Sequence, residues 1–266
     1  MFCPFIIKSS VITQLQRTTG TTISTKEDQD DLLRKSQLRS YLSSTDGLIN
    51  GKTLKELWFP HGKYQIFLSH SHNDIELARY LKAWFKVYCN LDCFIDADVW
   101  SNAFVLLKEL DNKYSIPAGT TCYNYDRRNQ STAHVYAMLT MALFEAIDEI
   151  ECPILIESAN SVTLKEGIEK SSLSPWIYEE VGYMGKLPHK IPSRFPTTRC
   201  FSVGAESMVL NESVTDSLQM THPLDTTKFK QIDNSDLLSM RSNSGLCALD
   251  VLYKRKLLFR RYAGLY

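Results

Sequence analysis

Glu179 and Glu180 are neighbours in Trp176-Ile177-Tyr178-Glu179-Glu180, yet a helix would point them in different directions. At about 100° per residue, Trp176, Ile177, Val181, Tyr183 and Met184 share one apolar arc. Glu180 projects from its middle and Glu179 falls outside it. A glutamate set among apolar side chains is costly to ionise without partners, so Glu180 is a candidate functional carboxylate rather than surface decoration. The other residues able to do chemistry follow short apolar runs: Ser69, His70 and Ser71 after Tyr64-Gln65-Ile66-Phe67-Leu68, Asp96 and Asp98 after Cys93-Phe94-Ile95, and Glu157 and Ser158 after Pro153-Ile154-Leu155-Ile156.

Those runs read as buried strands, and helices separate them. After the first, a polar turn leads into a helix to about Tyr88, whose Leu77, Ala78, Leu81, Trp84, Phe85 and Tyr88 keep the spacing of one buried face. Strand, helix and strand make a βαβ unit. Between Val99 and Ser131 the pattern predicts a long irregular stretch with one short helix, Ala103 to Leu110, after which Ser131-Thr132 caps a helix from Ala133 to Ile150. Ser174-Pro175 is an N-cap with proline at the first helical position, opening a helix over Trp176 to Lys186. A further strand is expected at Arg199 to Val203, and a helix from about Leu246 to Arg261 whose basic residues suit a solvated C-terminus. Alternation of this kind predicts a doubly wound α/β fold around a parallel sheet. Residues 8 to 60 read as a polar leader.

In open α/β sheets ligands bind beyond the carboxyl ends of the strands, where these polar residues fall. No Gly-rich loop follows any strand, which argues against a dinucleotide fingerprint and a P-loop. The lack of a Gly-x-Ser-x-Gly elbow weakens a serine-hydrolase reading. Thirty basic residues balance thirty acidic ones, so nucleic acid is not an expected partner. No run approaches the roughly 18 apolar residues of a membrane span. The start, Met1 to Ile7, lacks a charged region before its apolar residues, and the protein is expected to be cytoplasmic. The seven cysteines are dispersed without a Cys-x-x-Cys and read as free thiols; no metal is expected, although Cys89 and Cys93 could be imagined beside His70 and His72.

Tyr64-Gln65-Ile66-Phe67-Leu68-Ser69-His70-Ser71 resembles the first conserved box of Toll/interleukin-1 receptor (TIR) domains. Phe94-Ile95-Asp96 looks like the end of their second strand, and Ser174-Pro175-Trp176-Ile177-Tyr178-Glu179-Glu180 resembles their Trp-x-x-x-Glu helix. The resemblance is closest in flavour to bacterial stand-alone TIR proteins, including those of Thoeris-type anti-phage systems. It covers roughly residues 62 to 205, with 1–61 and 206–266 as N- and C-terminal extensions of helical character, and it implies a flavodoxin-like doubly wound sheet.

The resemblance also implies an activity: cleavage of the nicotinamide–ribose bond of NAD+ as substrate, giving ADP-ribose or a cyclised or transferred product, with no cofactor. Glu180, four residues after Trp176, matches the catalytic glutamate. Ser69 and Ser71 could donate to phosphate or ribose, or merely cap a helix; His70 lies between them in the same turn. Asp96 is a strand-end candidate, Trp176 could wall the pocket or anchor its helix, and Trp100 could stack on nicotinamide or adenine or simply pack. A long loop over 97–132 replaces the compact loop usual in the family. Self-association and a downstream effector sensing the nucleotide product are implied partners. The alternative is a TIR scaffold without chemistry.

Overall fold

Five short strands pair into one parallel sheet. A computed structural model describes residues 2–19, 30–44, 48–165, 169–195 and 220–258. The sheet consists of β1 (Phe5–Lys8), β2 (Ile66–Ser69), β3 (Cys93–Phe94), β4 (Cys152–Glu157) and β8 (Lys230–Ile232), in the order β3-β2-β4-β1-β8. β2 and β4 carry almost unbroken buried side chains, as strands covered on both faces must. Register is set by Ile66 against Cys152 and Ser69 against Leu155 on one side of β4, and by Phe5 against Ile154 and Lys8 against Glu157 on the other.

The position of β1 departs from expectation. Residues 1–61 are expected to lie outside the main domain, yet β1 runs parallel between β4 and β8 with Phe5 and Ile7 wholly buried. Three apolar residues before a polar stretch are too short a signal for periodicity to separate from a loop. β8 is less conspicuous still, with Ile232 its one buried side chain. The order matches the flavodoxin-like 2-1-3-4-5 pattern over β3-β2-β4 and departs from it at the fourth place, which β1 occupies.

The chain forms two compact units, one of Met1–Thr21, Gln65–Cys93 and Ile147–Tyr266, the other of Thr22–Tyr64 and Phe94–Ala146. In the first, α1 (Ser9–Thr19) and α4 (Ile75–Cys89) pack together, with the Thr19 and Tyr80 hydroxyls 2.6 Å apart. α4 ends on Asn90, whose positive φ of 50° makes a left-handed cap of a kind asparagine tolerates. A small antiparallel sheet, β5 (Thr163–Lys165), β6 (Glu169–Ser172) and β7 (His222–Pro223), lies where sequence shows only a polar excursion. It delivers the chain directly into α8 (Pro175–Lys186), and the Tyr178 ring of α8 stacks on His222.

Toward the C-terminus, α9 (Asn234–Met240) begins with a capping box between Asp233 and Asp236, and α10 (Leu246–Tyr253) continues into a π-helical turn over Lys254–Leu258. Part of the basic cluster expected to be solvated is paired: Arg255 Nε lies 2.9 Å and Lys256 Nζ 2.5 Å from the buried carboxylate of Asp236. Arg260, Arg261 and the strand expected at 199–203 lie outside the described residues.

In the second unit, the stretch expected to be irregular is largely helical: α5 (Asp96–Val99), α6 (Ala103–Tyr114) and the start of α7 (Tyr125–Glu149) leave 100–102 and 115–124 without a helix. α7 begins earlier than expected because Asn124 accepts from the Arg127 amide at 3.0 Å, whereas the Ser131 hydroxyl bonds back to the Arg127 carbonyl inside the helix. The same unit holds α2 (Asp30–Ser44) and α3 (Gly51–Trp58); Arg39 of α2 pairs with Glu109 of α6 at 2.7 Å.

No disulfide joins the described cysteines. Burial pushes the Cys3 and Cys89 thiols up to about 12 and raises Cys93 and Cys152 strongly. Cys122 and Cys247 are exposed. At pH 8 in native protein, a soluble disulfide reagent should label Cys122 and Cys247 quickly and leave Cys3, Cys89, Cys93 and Cys152 unmodified until denaturant is added. Rapid native labelling of any of those four, mapped by peptide mass, contradicts this core.

Candidate active site at the switch point of the sheet

β2 and β4 are neighbours whose onward connections diverge. From β2 the chain passes through α4 to β3 on one side; from β4 it passes through α8 to β8 on the other. The crevice beyond their carboxyl ends is the place where open α/β sheets receive ligands.

Ser69, the last residue of β2, is 1% exposed, and its hydroxyl donates to Glu180 Oε2. Glu180 is 5% exposed on the inward side of α8, together with Ile177, Val181 and Met184. Glu179 is half-buried, so the helix separates the two carboxylates as its periodicity predicts. The buried arc is narrower than expected, because Trp176 and Tyr183 are only half-buried. Ser174 fixes the start of α8 by accepting from the Ile177 amide at 3.4 Å, with Pro175 at the first helical position. Cap and helix phase together aim Glu180 at the end of β2.

His70 and Ser71 adjoin this pair on the turn after β2. The His70 Nδ1 lies 3.1 Å from the Leu68 carbonyl, which can only accept, so Nδ1 is the donor of that bond. Ser71 precedes a 3₁₀ turn, His72–Asp74, but its hydroxyl makes no capping bond.

Asp74 stands at the N-cap position of α4 but does not cap it with its side chain. It is 4% exposed and reaches the loop after β4, where it accepts from the Ser158 hydroxyl and, at 2.9 Å, from Asn160 Nδ2. Ser158 Oγ in turn accepts from the amides of Asn160 and Ser161 at 2.9 and 3.2 Å. The Ser161 hydroxyl donates to the Ile156 carbonyl at 2.8 Å. Glu157 at the end of β4 pairs with Lys170 of β6 at 2.8 Å. Asp74, Asn160 and Lys170 are contributors that the sequence does not single out for this crevice. The one available signal was the place of Asp74 and Asn160 in the polar segments that follow β2 and β4; Lys170, inside β6, gave none.

Asp96 and Trp100 belong to the second unit. Asp96 is the half-buried first residue of α5. Trp100 is 7% exposed, donates from Nε1 to the Pro60 carbonyl at 3.1 Å, and packs edge-on against Phe59 and Phe94. Its indole therefore serves the aromatic core of that unit. Tyr123 bonds Asn112 through its hydroxyl and carries the Arg128 guanidinium 5.1 Å above its ring. Among the described residues no group of three or more His, Cys, Asp or Glu side chains is arranged to hold a metal ion, and no helix is long and apolar enough to cross a membrane.

Searches against protein-family models, curated proteins and solved structures return no match for this chain. What the site can do rests on its chemistry. A buried carboxylate that accepts from a neighbouring hydroxyl can hold a ligand's hydroxyl groups and stabilise positive charge that develops beside it.

Proposed function

We propose that the protein is a TIR-like enzyme that cleaves the nicotinamide–ribose bond of NAD+, with Glu180 as its catalytic residue. The observation that carries this reading is the buried Glu180 carboxylate, bonded by Ser69 at the switch point of the sheet. The β3-β2-β4 order and the Trp-x-x-x-Glu helix support a TIR-like core; β1 in the fourth place departs from it.

The bond between the ribose C1′ and the pyridinium nitrogen breaks with its electron pair leaving on nitrogen. Nicotinamide departs neutral and needs no proton, so one carboxylate can suffice where an ordinary glycosidase pairs two. Glu180 accepts from ribose hydroxyls and stabilises the oxocarbenium-like transition state; water or a nucleophile of the substrate then adds to C1′. Ser69 orients the carboxylate, and His70, Ser71 and Trp176 adjoin the bound nucleoside. The product acts as a signal for a separate effector, in keeping with anti-phage defence in the cytoplasm, and self-association switches the activity on.

One observation favours a second reading. The Ser69 hydroxyl already satisfies an oxygen of Glu180, which is what a structural glutamate in a non-catalytic TIR scaffold would require. Incubating the full chain with NAD+ when dilute and when concentrated, and following products by mass spectrometry, separates the two. The enzyme reading predicts nicotinamide together with ADP-ribose or a cyclised product, rising more than linearly with protein concentration. Self-association without nicotinamide at any concentration supports the scaffold.

A further inference from the structure

The buried carboxylate of Asp74 takes no part in the chemistry above, and its position calls for a role. Asp74 belongs to the turn that follows β2 and carries Ser69, His70 and Ser71, yet both of its oxygens are bonded by the loop that follows β4, 84 residues away in sequence for Ser158. Those two loops follow the neighbouring parallel strands β2 and β4 and meet beyond their carboxyl ends. An aspartate just before a helix ordinarily turns back to cap its own amides; here the cap is forgone and the carboxylate bonds the neighbouring loop. The Asp74 amide donates to the Ser71 carbonyl at 2.8 Å, so the side chain is rigidly tied to the turn that bears the site residues. On the loop after β4, Ser158 is equally committed: its hydroxyl donates to Asp74 while accepting from two backbone amides, and Ser161 locks the same loop to the end of β4.

We infer that Asp74, through Ser158 and Asn160, is a positioning residue that clamps the loop after β2 to the loop after β4 and thereby fixes the position of the Ser69–Glu180 pair relative to the loop after β4. The inference deepens the NAD+ reading and rests on it for its kinetic consequence; the clamp itself does not. A nucleotide held at the Ser69–Glu180 pair would rest against these joined loops, so loosening them weakens binding and admits water, while the charge that stabilises the transition state stays where it is.

Asp74→Asn keeps the size of the side chain but replaces one of its two acceptor oxygens with a donor, so Ser158 or Asn160 loses its acceptor; Asp74→Ala removes both bonds, and Ser158→Ala removes one from the loop after β4. In the full chain, amide hydrogen exchange should quicken roughly tenfold in Asp74→Ala over both 70–74 and 158–161, as expected for loss of one or two buried hydrogen bonds. With NAD+, Asp74→Asn should raise KM about tenfold with kcat within about twofold, and shift products from cyclised or transferred ADP-ribose toward free ADP-ribose. Ser158→Ala should do the same, and the double variant should be no worse than either single one, because both break one link. A merely structural aspartate would lower Tm and leave the product ratio and KM unchanged, which overturns the inference. So does exchange that quickens only around residue 74. If wild type releases no nicotinamide, the reaction is lost but exchange in the two loops still decides the clamp: joint quickening supports it and independent behaviour overturns it.

Discussion

Deleting residues 2–8 should leave a chain that does not fold. A leader could be trimmed at little cost, but β1 is an interior strand, paired on both edges and flanked by β4 and β8. Phe5 and Ile7 are fully buried and Ile6 is 6% exposed, and burying each such side chain is worth about 1.5–3 kcal/mol. The three together approach the whole stability of an ordinary domain, about 5–15 kcal/mol. The deletion would also leave the backbone groups of β4 and β8 unpaired in the middle of a sheet. Circular dichroism and size-exclusion chromatography of the deleted chain should show an unfolded or aggregated product. The milder Ile7→Ala should fold with a loss of about 2–5 kcal/mol in denaturant titration. A deleted chain that melts cooperatively near the wild-type temperature contradicts the central place of β1.

That strand marks where sequence is a poor guide and why. Glu180 was legible because helical phase needs only local residues: a cap at Ser174-Pro175, a period near 3.6, and one charge inside the arc. β2, α4 and β4 were legible for the same reason, each having enough apolar residues to display its own period. β1 and β8 are short and owe their burial to partners far along the chain, so nothing local distinguishes them from connecting segments. The start of α7 turned on a competition between two capping sites, which Asn124 wins because Ser131 can satisfy its hydroxyl within the helix. Asp74 shows the same limit at the level of a single side chain. A first-turn acid looks complete on its own, and only the fold brings Ser158 and Asn160 to it.

Glu180→Gln should lower nicotinamide release by about 10²–10³-fold, the usual effect of removing one preorganised electrostatic group from a dry site. The substitution is nearly isosteric, and the amide oxygen of glutamine can still accept from Ser69, so the buried hydroxyl keeps a partner and the fold should survive with Tm changed by a few degrees at most. Ser69→Ala differs in kind. It leaves the negative charge in place but removes its orienting donor, so it should cost about 1–3 kcal/mol of stability and a smaller part of the rate. Glu179→Gln, on the same turn but outside the buried arc, is the internal control and should retain near-wild-type release.

The most direct measurement is therefore nicotinamide released from NAD+ by wild type, Glu180→Gln and Glu179→Gln at one protein concentration, each first shown to be folded by its melting curve. Release by wild type and Glu179→Gln, with loss in Glu180→Gln alone, is the predicted result. Equal release by all three, or none by folded wild type at any concentration, contradicts the assignment of Glu180 as the catalytic carboxylate.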